Sequence, residues 1–223
     1  LHIVHLATPE PLPALRAARR EGLRITVETC PHYLSFCAEQ IGDGRTEFKC
    51  APPIRERIHQ EGLWLALLAG DLDLVTTDHS PAPPALKHLD DGDFTMAWGG
   101  IASLQLGLGA VWTEAARRGV SLDRASRWLS GAPAALAGLA ATKGTIAVEH
   151  DADLVIFDPD IEASVDARRL EHRHPVTPYH GMRLRGVVHK TLLRGRVIYD
   201  DGRVVGEPRG RPILARTATI SLS

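Results

Sequence analysis

The chain has 223 residues, of which 44% are hydrophobic and 24% charged, and its formal net charge is −1. That length can bury a substantial core in one domain or slightly more. Near-neutral charge gives no electrostatic reason to expect nucleic acid or an anionic membrane surface as a partner. No apolar run approaches a membrane span, and the opening residues Leu1-His2-Ile3-Val4-His5 lack the basic-then-apolar order of a secretory leader. Cys30, Cys37 and Cys50 are odd in number and form no CxxC pair, which argues against a disulfide framework and fits a reducing cytoplasm. The chain opens in mid-strand with no initiator methionine, so a longer parent protein is expected.

In chain order, residues 1–6 alternate like a strand, and residues 11–21 carry Leu12, Leu15 and Ala18 at helical spacing until Gly22. Residues 23–30 (LRITVETC) form a second predicted strand, followed by a short helical segment over 35–41. Residues 46–50 are predicted as a third strand closed by Pro52-Pro53, and residues 54–69 as a helix stopped by Gly70. A β-branched run then ends in Thr77-Asp78-His79-Ser80-Pro81, a fourth predicted strand. Strands and helices alternating in this way indicate a parallel sheet with right-handed crossovers, and four such strands make half of an eight-stranded barrel.

Residues 81–93 are polar and proline-rich, long enough to cover a substrate. Residues 96–118 and 122–139 are predicted as mainly helical. From Lys143 the texture changes to short strands (152–157, 186–194, 196–199) with Gly and Asp turns, an antiparallel unit. The expected organisation is therefore α/β: the C-terminal half of a (β/α)8 TIM-type barrel over 1–142, part of a small β-sandwich over 143–208, and an irregular tail over 209–223.

Three predicted strands end in groups that can ligate a metal: His5, His32 and Asp78, spaced 27 and 46 residues apart. In a parallel barrel such ends share one rim, where the chemistry sits. Imidazole and carboxylate suit zinc, and a catalytic zinc keeps an open position for water. Each residue alone has a bland reading as a hydrogen-bonded structural group. Their occurrence in register carries the argument.

The strings VETCPHYL (27–34), FKCAPPIRE (48–56), TTDHSP (76–81) and AWGGIASLQL (97–106), with KGTIAVEHDADLVIFDP, HRHPVTPYHG and LRGRVIYDDG later, resemble those of the allantoinase family of cyclic amidohydrolases. The likeness runs in family order to about residue 212. It implies two divalent ions, zinc with cobalt or manganese as alternatives, and hydrolysis of a cyclic amide, with allantoin opened to allantoate. By the same resemblance His5 and His32 are ligands of the second metal, and Asp78 binds the first and shuttles the proton. Ala51, Ser80 and Trp98-Gly99-Gly100 would face the substrate ring, largely through backbone, and His79 would support the site. A small-molecule substrate and a homo-oligomer, dimer or tetramer, are likewise implied.

The family's HxH pair and bridging lysine precede anything present here. His172-Arg173-His174 is not that pair, and His172, His174 and His180 are read as structural or solvated. Glu149-His150 stands where the family has Gly-Lys. Rival readings are a hydantoinase, dihydropyrimidinase or dihydroorotase, a metal-free scaffold, or an inactive fragment. Arg55 is read as a helix-start ion pair, Trp64, Trp112 and Trp128 as core, and Cys30 and Cys50 as buried and unreactive.

Overall fold

The computed structural model describes residues 1–214. Strands β1 (His2–Ile3), β2 (Thr26–Thr29) and β3 (Leu74–Val75) form a parallel sheet in the order β1-β2-β3. The register pairs His2 with Thr26, Ile3 with Val27, Glu28 with Leu74 and Thr29 with Val75. Helices α1 (Leu12–Arg20) and α3 (Arg57–Ala69) lie in the crossovers, and α2 (Pro31–Ser35) follows β2 directly. Parallel strands need such crossovers, and the apolar helix faces cover the sheet.

The crossovers are tied down by charge as well as by packing. Asp73, at the entry to β3, accepts from Arg19 Nη2 at 2.6 Å and from the Val27 amide at 2.7 Å, joining α1, β2 and β3. On one face of the sheet His2 bridges Thr26 Oγ1 (2.8 Å) and Glu28 Oε2 (3.0 Å), giving a buried carboxylate its partner. Helix α3 puts Leu63, Trp64 and Leu67 fully into the core and ends at Gly70, whose φ of +84° is the left-handed cap that glycine supplies. Trp64, Trp112 and Trp128 are all buried, as their helical spacing implied.

Several sequence expectations are corrected. Only three parallel strands are present among the described residues, not four. Residues 46–50 make a 3₁₀ turn (Thr46–Phe48) and then an unpaired extended segment. The Lys49 carbonyl is taken by Gly100 N (2.9 Å) and Lys87 Nζ (3.0 Å), and Pro52 and Pro53 offer no N–H, so no ladder can form. The strand before Asp78, expected one strand further round a barrel, therefore lies directly beside β2. The helix expected over 35–41 begins instead at Pro31, where proline suits the first helical position, and Ala38–Gln40 is a separate 3₁₀ turn.

Helix α4 spans Gly107–Arg117 only. The preceding residues are held in irregular backbone by bonds to Leu86, Lys49 and Ser80. Helices α5 (Leu122–Ser126) and α6 (Ala132–Leu136) are joined through a π-helical turn over Arg127–Gly131.

Strands β4 (Leu154–Ser164), β5 (Arg183–Leu193), β6 (Arg196–Asp200) and β7 (Arg203–Val204) form an antiparallel sheet in sequence order. The expected sandwich is, among the described residues, one sheet backed by a helix. Trp112 Nε1 of α4 donates to Pro159 O at 2.8 Å, and Arg185 N donates to Thr113 Oγ1 at 2.8 Å. The contact is close because Gly186 has no side chain. A Cβ there would lie 2.1 Å from Phe157 Cζ and 3.0 Å from Trp112 Cδ1, and φ is +98°. Residues 209–214 carry no regular structure, and the rest of the expected tail, 215–223, lies outside the described residues. Gly186→Ala should lower unfolding stability by about 2–3 kcal/mol through positive φ and overpacking, measured by urea titration.

Candidate functional site

The strand ends carry the three candidate ligands. After β1 the backbone crosses to β2 through Leu6 N to Glu28 O (2.8 Å) and Thr29 Oγ1 to Leu6 O (2.8 Å). This leaves His5 at the bend with a φ of +40°. Asp78, three residues beyond β3, has a φ of +44° and is exposed. Non-glycine residues rarely occupy that region, and such outliers concentrate at functional sites. Two of the three candidate ligands thus sit in strained backbone.

His32 occupies the first turn of α2, 1% exposed, with its ring centroid 4.2 Å from that of Tyr33. Neither ring nitrogen has a hydrogen-bond partner. Burial, assisted by nearby His5, pushes its pKa down to about 3, so the ring is neutral and offers a lone pair. An imidazole buried with both nitrogens idle is costly, because buried polar groups are otherwise paired. A cation is the partner that its chemistry fits. His5, His32 and Asp78 do not close into a three-donor set: among the described residues no three His, Cys, Asp or Glu side chains are placed to hold a metal.

Asp78 still acts on this neighbourhood. Burial first, then its negative charge, raises the Cys30 thiol, and burial foremost pushes Cys50 up to about 11. Both cysteines are protonated, buried and unsuited to nucleophilic attack, in agreement with their sequence setting. Tyr33 Oη donates to Pro52 O at 2.6 Å, linking α2 to the Ala51 segment.

The residues placed against the substrate ring do come together. Gly99 lies beside the Ala51 segment, where a Cβ would make ordinary contact 3.8 Å from Ala51 N, whereas at Gly100 (φ +143°) a Cβ would lie only 2.5 Å from Ser80 Oγ. Ser80 N donates to Ile101 O at 3.0 Å. Trp98 is 53% exposed while its amide donates to Leu86 O at 2.7 Å, leaving the indole open to solvent. His79 Nδ1 accepts from the Ser103 and Leu104 amides (3.0 and 3.1 Å), which puts the neutral ring's proton on Nε2. That anchors the residue beside Asp78.

Two residues were missed by sequence reasoning. His172, read as structural or solvated, packs its ring 4.8 Å from that of His79, so the β unit's connection reaches the rim. Lys87, in the stretch expected to cover substrate, is 3% exposed and hydrogen-bonded beneath the rim. That stretch is anchored, with a 3₁₀ turn over Pro84–Lys87. A lone lysine among prolines carries no periodic signal. Arg55 pairs with Glu56 at 3.3 Å, as expected of a helix-start ion pair.

Comparison with known proteins agrees with this architecture. Residues 66–199 match the family model described as "Amidohydrolase family". An allantoinase of Streptomyces avermitilis is 51% identical over 95% of this chain and 46% of its own length, and one of Arabidopsis thaliana is 44% identical over 97% and 43%. Among solved structures, L-hydantoinase (dihydropyrimidinase) from Arthrobacter aurescens superimposes with a TM-score of 0.85 at 33% identity, covering 93% of this chain and 46% of that one. Dihydropyrimidinase from Brevibacillus agri gives 0.85 at 32%, covering 92% and 46%. The chain belongs to the amidohydrolase family. It spans about half the length of the relatives it matches. No helix among the described residues is long and apolar enough to cross a membrane.

A neutral His32 makes stability pH-dependent in the metal-free chain. Its folded pKa lies below the ordinary value of 6.5, so the unfolded state takes up the proton first. Stability is full above 6.5 and falls as pH drops toward 3, by at most about 1.4 kcal/mol per pH unit. His32→Phe should flatten this acid limb in urea titrations.

Proposed function

We propose that this chain carries half of the active site of a cyclic amidohydrolase, with allantoin opened to allantoate as the reaction. The observation that carries the reading is His32, a buried neutral imidazole with no partner for either nitrogen. His5, His32 and Asp78 would hold divalent cations, zinc with cobalt or manganese as alternatives, together with donors this chain does not contribute. Such ions, two in the complete site, supply Lewis acidity and lower the pKa of water.

The chain's own residues do the rest. His32, kept neutral by burial, stays a ligand rather than a cation across the working pH range. The Asp78 carboxylate accepts the proton of the attacking water and returns it to the departing ring nitrogen, acting as base and then as acid. Backbone groups of Ala51, Ser80 and Gly99-Gly100 meet the ring's N–H and C=O groups, with the two glycines letting main chain approach closely. Trp98 borders the same face. His79 fixes the peptide that carries Asp78.

Allantoin is favoured over other rings because the relatives named allantoinase stand at 51% and 44% identity, against 33% and 32% for the hydantoinase and dihydropyrimidinase structures. Dihydroorotate remains an outcome of the same assay. A metal-free scaffold would have no use for an idle buried imidazole.

In the full-length protein, allantoin should be hydrolysed with a kcat/KM at least about tenfold above that for hydantoin, dihydrouracil or dihydroorotate. Asp78→Asn should cut kcat by about a thousandfold with the metal content of the second site retained. His32→Ala should lower bound metal measured by elemental analysis. A full-length protein that binds no divalent metal and turns over no ring would refute the assignment. The 223-residue chain alone should hydrolyse none of these rings.

A further inference from the structure

Lys87 is an anomaly. Lysine is almost never fully buried unless paired, because desolvating an ammonium costs several kcal/mol. Here the side chain is 3% exposed and its Nζ donates to Gly100 O at 2.6 Å and to Lys49 O at 3.0 Å, with no salt bridge among the described residues. A methionine would fill similar space without that cost. What methionine lacks is the ability to draw two carbonyl oxygens, which otherwise repel, onto one point.

Those two carbonyls belong to the segments proposed to face the substrate. Lys49 precedes Cys50 and Ala51, and Gly100 ends the Trp98-Gly99-Gly100 run. The Lys49 carbonyl also accepts from Gly100 N at 2.9 Å, so the two segments meet at a three-way junction centred on Nζ. Gly100 is in turn packed onto Ser80, where no Cβ would fit. Neither segment belongs to a β-ladder, so side-chain ties must do what a ladder does elsewhere. The residues around Lys87 are consistent with a buried ammonium under strain: burial pushes its pKa down to about 8, and the Glu47 carboxylate offsets part of that shift.

We infer that Lys87 is a positioning residue, a buried ammonium staple that holds the Lys49–Ala51 and Trp98–Gly100 backbones at the spacing needed to receive the substrate ring. This rests on the proposed ring-opening function for its readout of activity. Lys87 touches neither the candidate metal ligands nor, on this reading, the substrate. Its loss should therefore weaken ring binding and leave the chemical step nearly intact.

The test is Lys87→Met in the full-length, metal-loaded protein, assayed on whichever ring the wild type hydrolyses and followed by hydrogen–deuterium exchange. The Gly100 amide should exchange about tenfold faster, with the amides of β2 unchanged. KM should rise about tenfold to a hundredfold while kcat stays within about threefold and metal content is unaltered. Lys87→Arg, which keeps charge and donors, should recover part of the KM. Should Lys87→Met fail to fold, Lys87→Gln, able to reach one carbonyl, is expected to raise KM to an intermediate degree. Faster exchange with an unchanged KM would reduce Lys87 to a packing element, and unchanged exchange would remove the staple altogether. A wild type inactive on every ring is recognisable as failure of the functional reading, and it takes the positioning role with it.

Discussion

Strand β2 is hydrogen-bonded on both edges, and the placement of every candidate ligand follows from that. Its ladder with β1 runs on through Leu6 N to Glu28 O, which fixes where the chain turns at His5. Its ladder with β3 continues through Thr76 N to Thr29 O at 3.1 Å, two residues before Asp78. Its own carboxyl end passes straight into Pro31 and His32. Main-chain bonds in a buried sheet are expensive to break. The strand ends are thus held to the register of one four-residue strand, and the bends at His5 and Asp78 can sustain positive φ because that frame is rigid.

The region around Ala51, Ser80 and Gly100 is built on a different principle. Lys49, Ala51, Ser80 and Trp98–Gly100 lie on segments without sheet partners, and they are knitted by scattered bonds: Gly100 to Lys49, Ser80 to Ile101, Trp98 to Leu86, Tyr33 to Pro52. These bonds use the amides of Ser80, Trp98 and Gly100 to hold the segments to one another. Glycine at 100 removes a side chain that would collide with Ser80. Under the proposed function, ligand-holding groups on rigid strand ends and substrate-facing groups on irregular backbone would make a sensible division of labour, since specificity could vary without disturbing the frame.

Much of this was legible in the residues. β-branched runs ending in polar clusters located β2 and β3, and the Gly70 stop and the leucine stripe located α3. Quoted strings such as VETCPHYL and TTDHSP led to the family. The segment at 46–50 was misread because a short apolar run before proline looks like a strand until one knows that its carbonyl is claimed by Lys87 and Gly100, residues far along the chain. The over-long helix at 96–118 failed for a related reason: AWGGIASLQL has apolar residues at helical spacing, but long-range bonds hold it irregular. Lys87 was invisible, and the partner of His172 unspecified, because nothing local distinguishes a buried lysine or a packed histidine from solvated ones. Pairwise contact, which one chain read alone does not display, was the missing information.

The tilted packing of the His172 ring against His79 gives the small antiparallel unit a meaning beyond that of an appendage. The loop between β4 and β5 leaves its own sheet, reaches across α4's start through Gln105, and touches His79, the neighbour of Asp78. Chimeras that exchange this module between relatives would therefore import a foreign neighbour for His79 along with the sheet. Grafts that exchange the sheet should keep the recipient's own residues around 171–172, which lie within the module between β4 and β5.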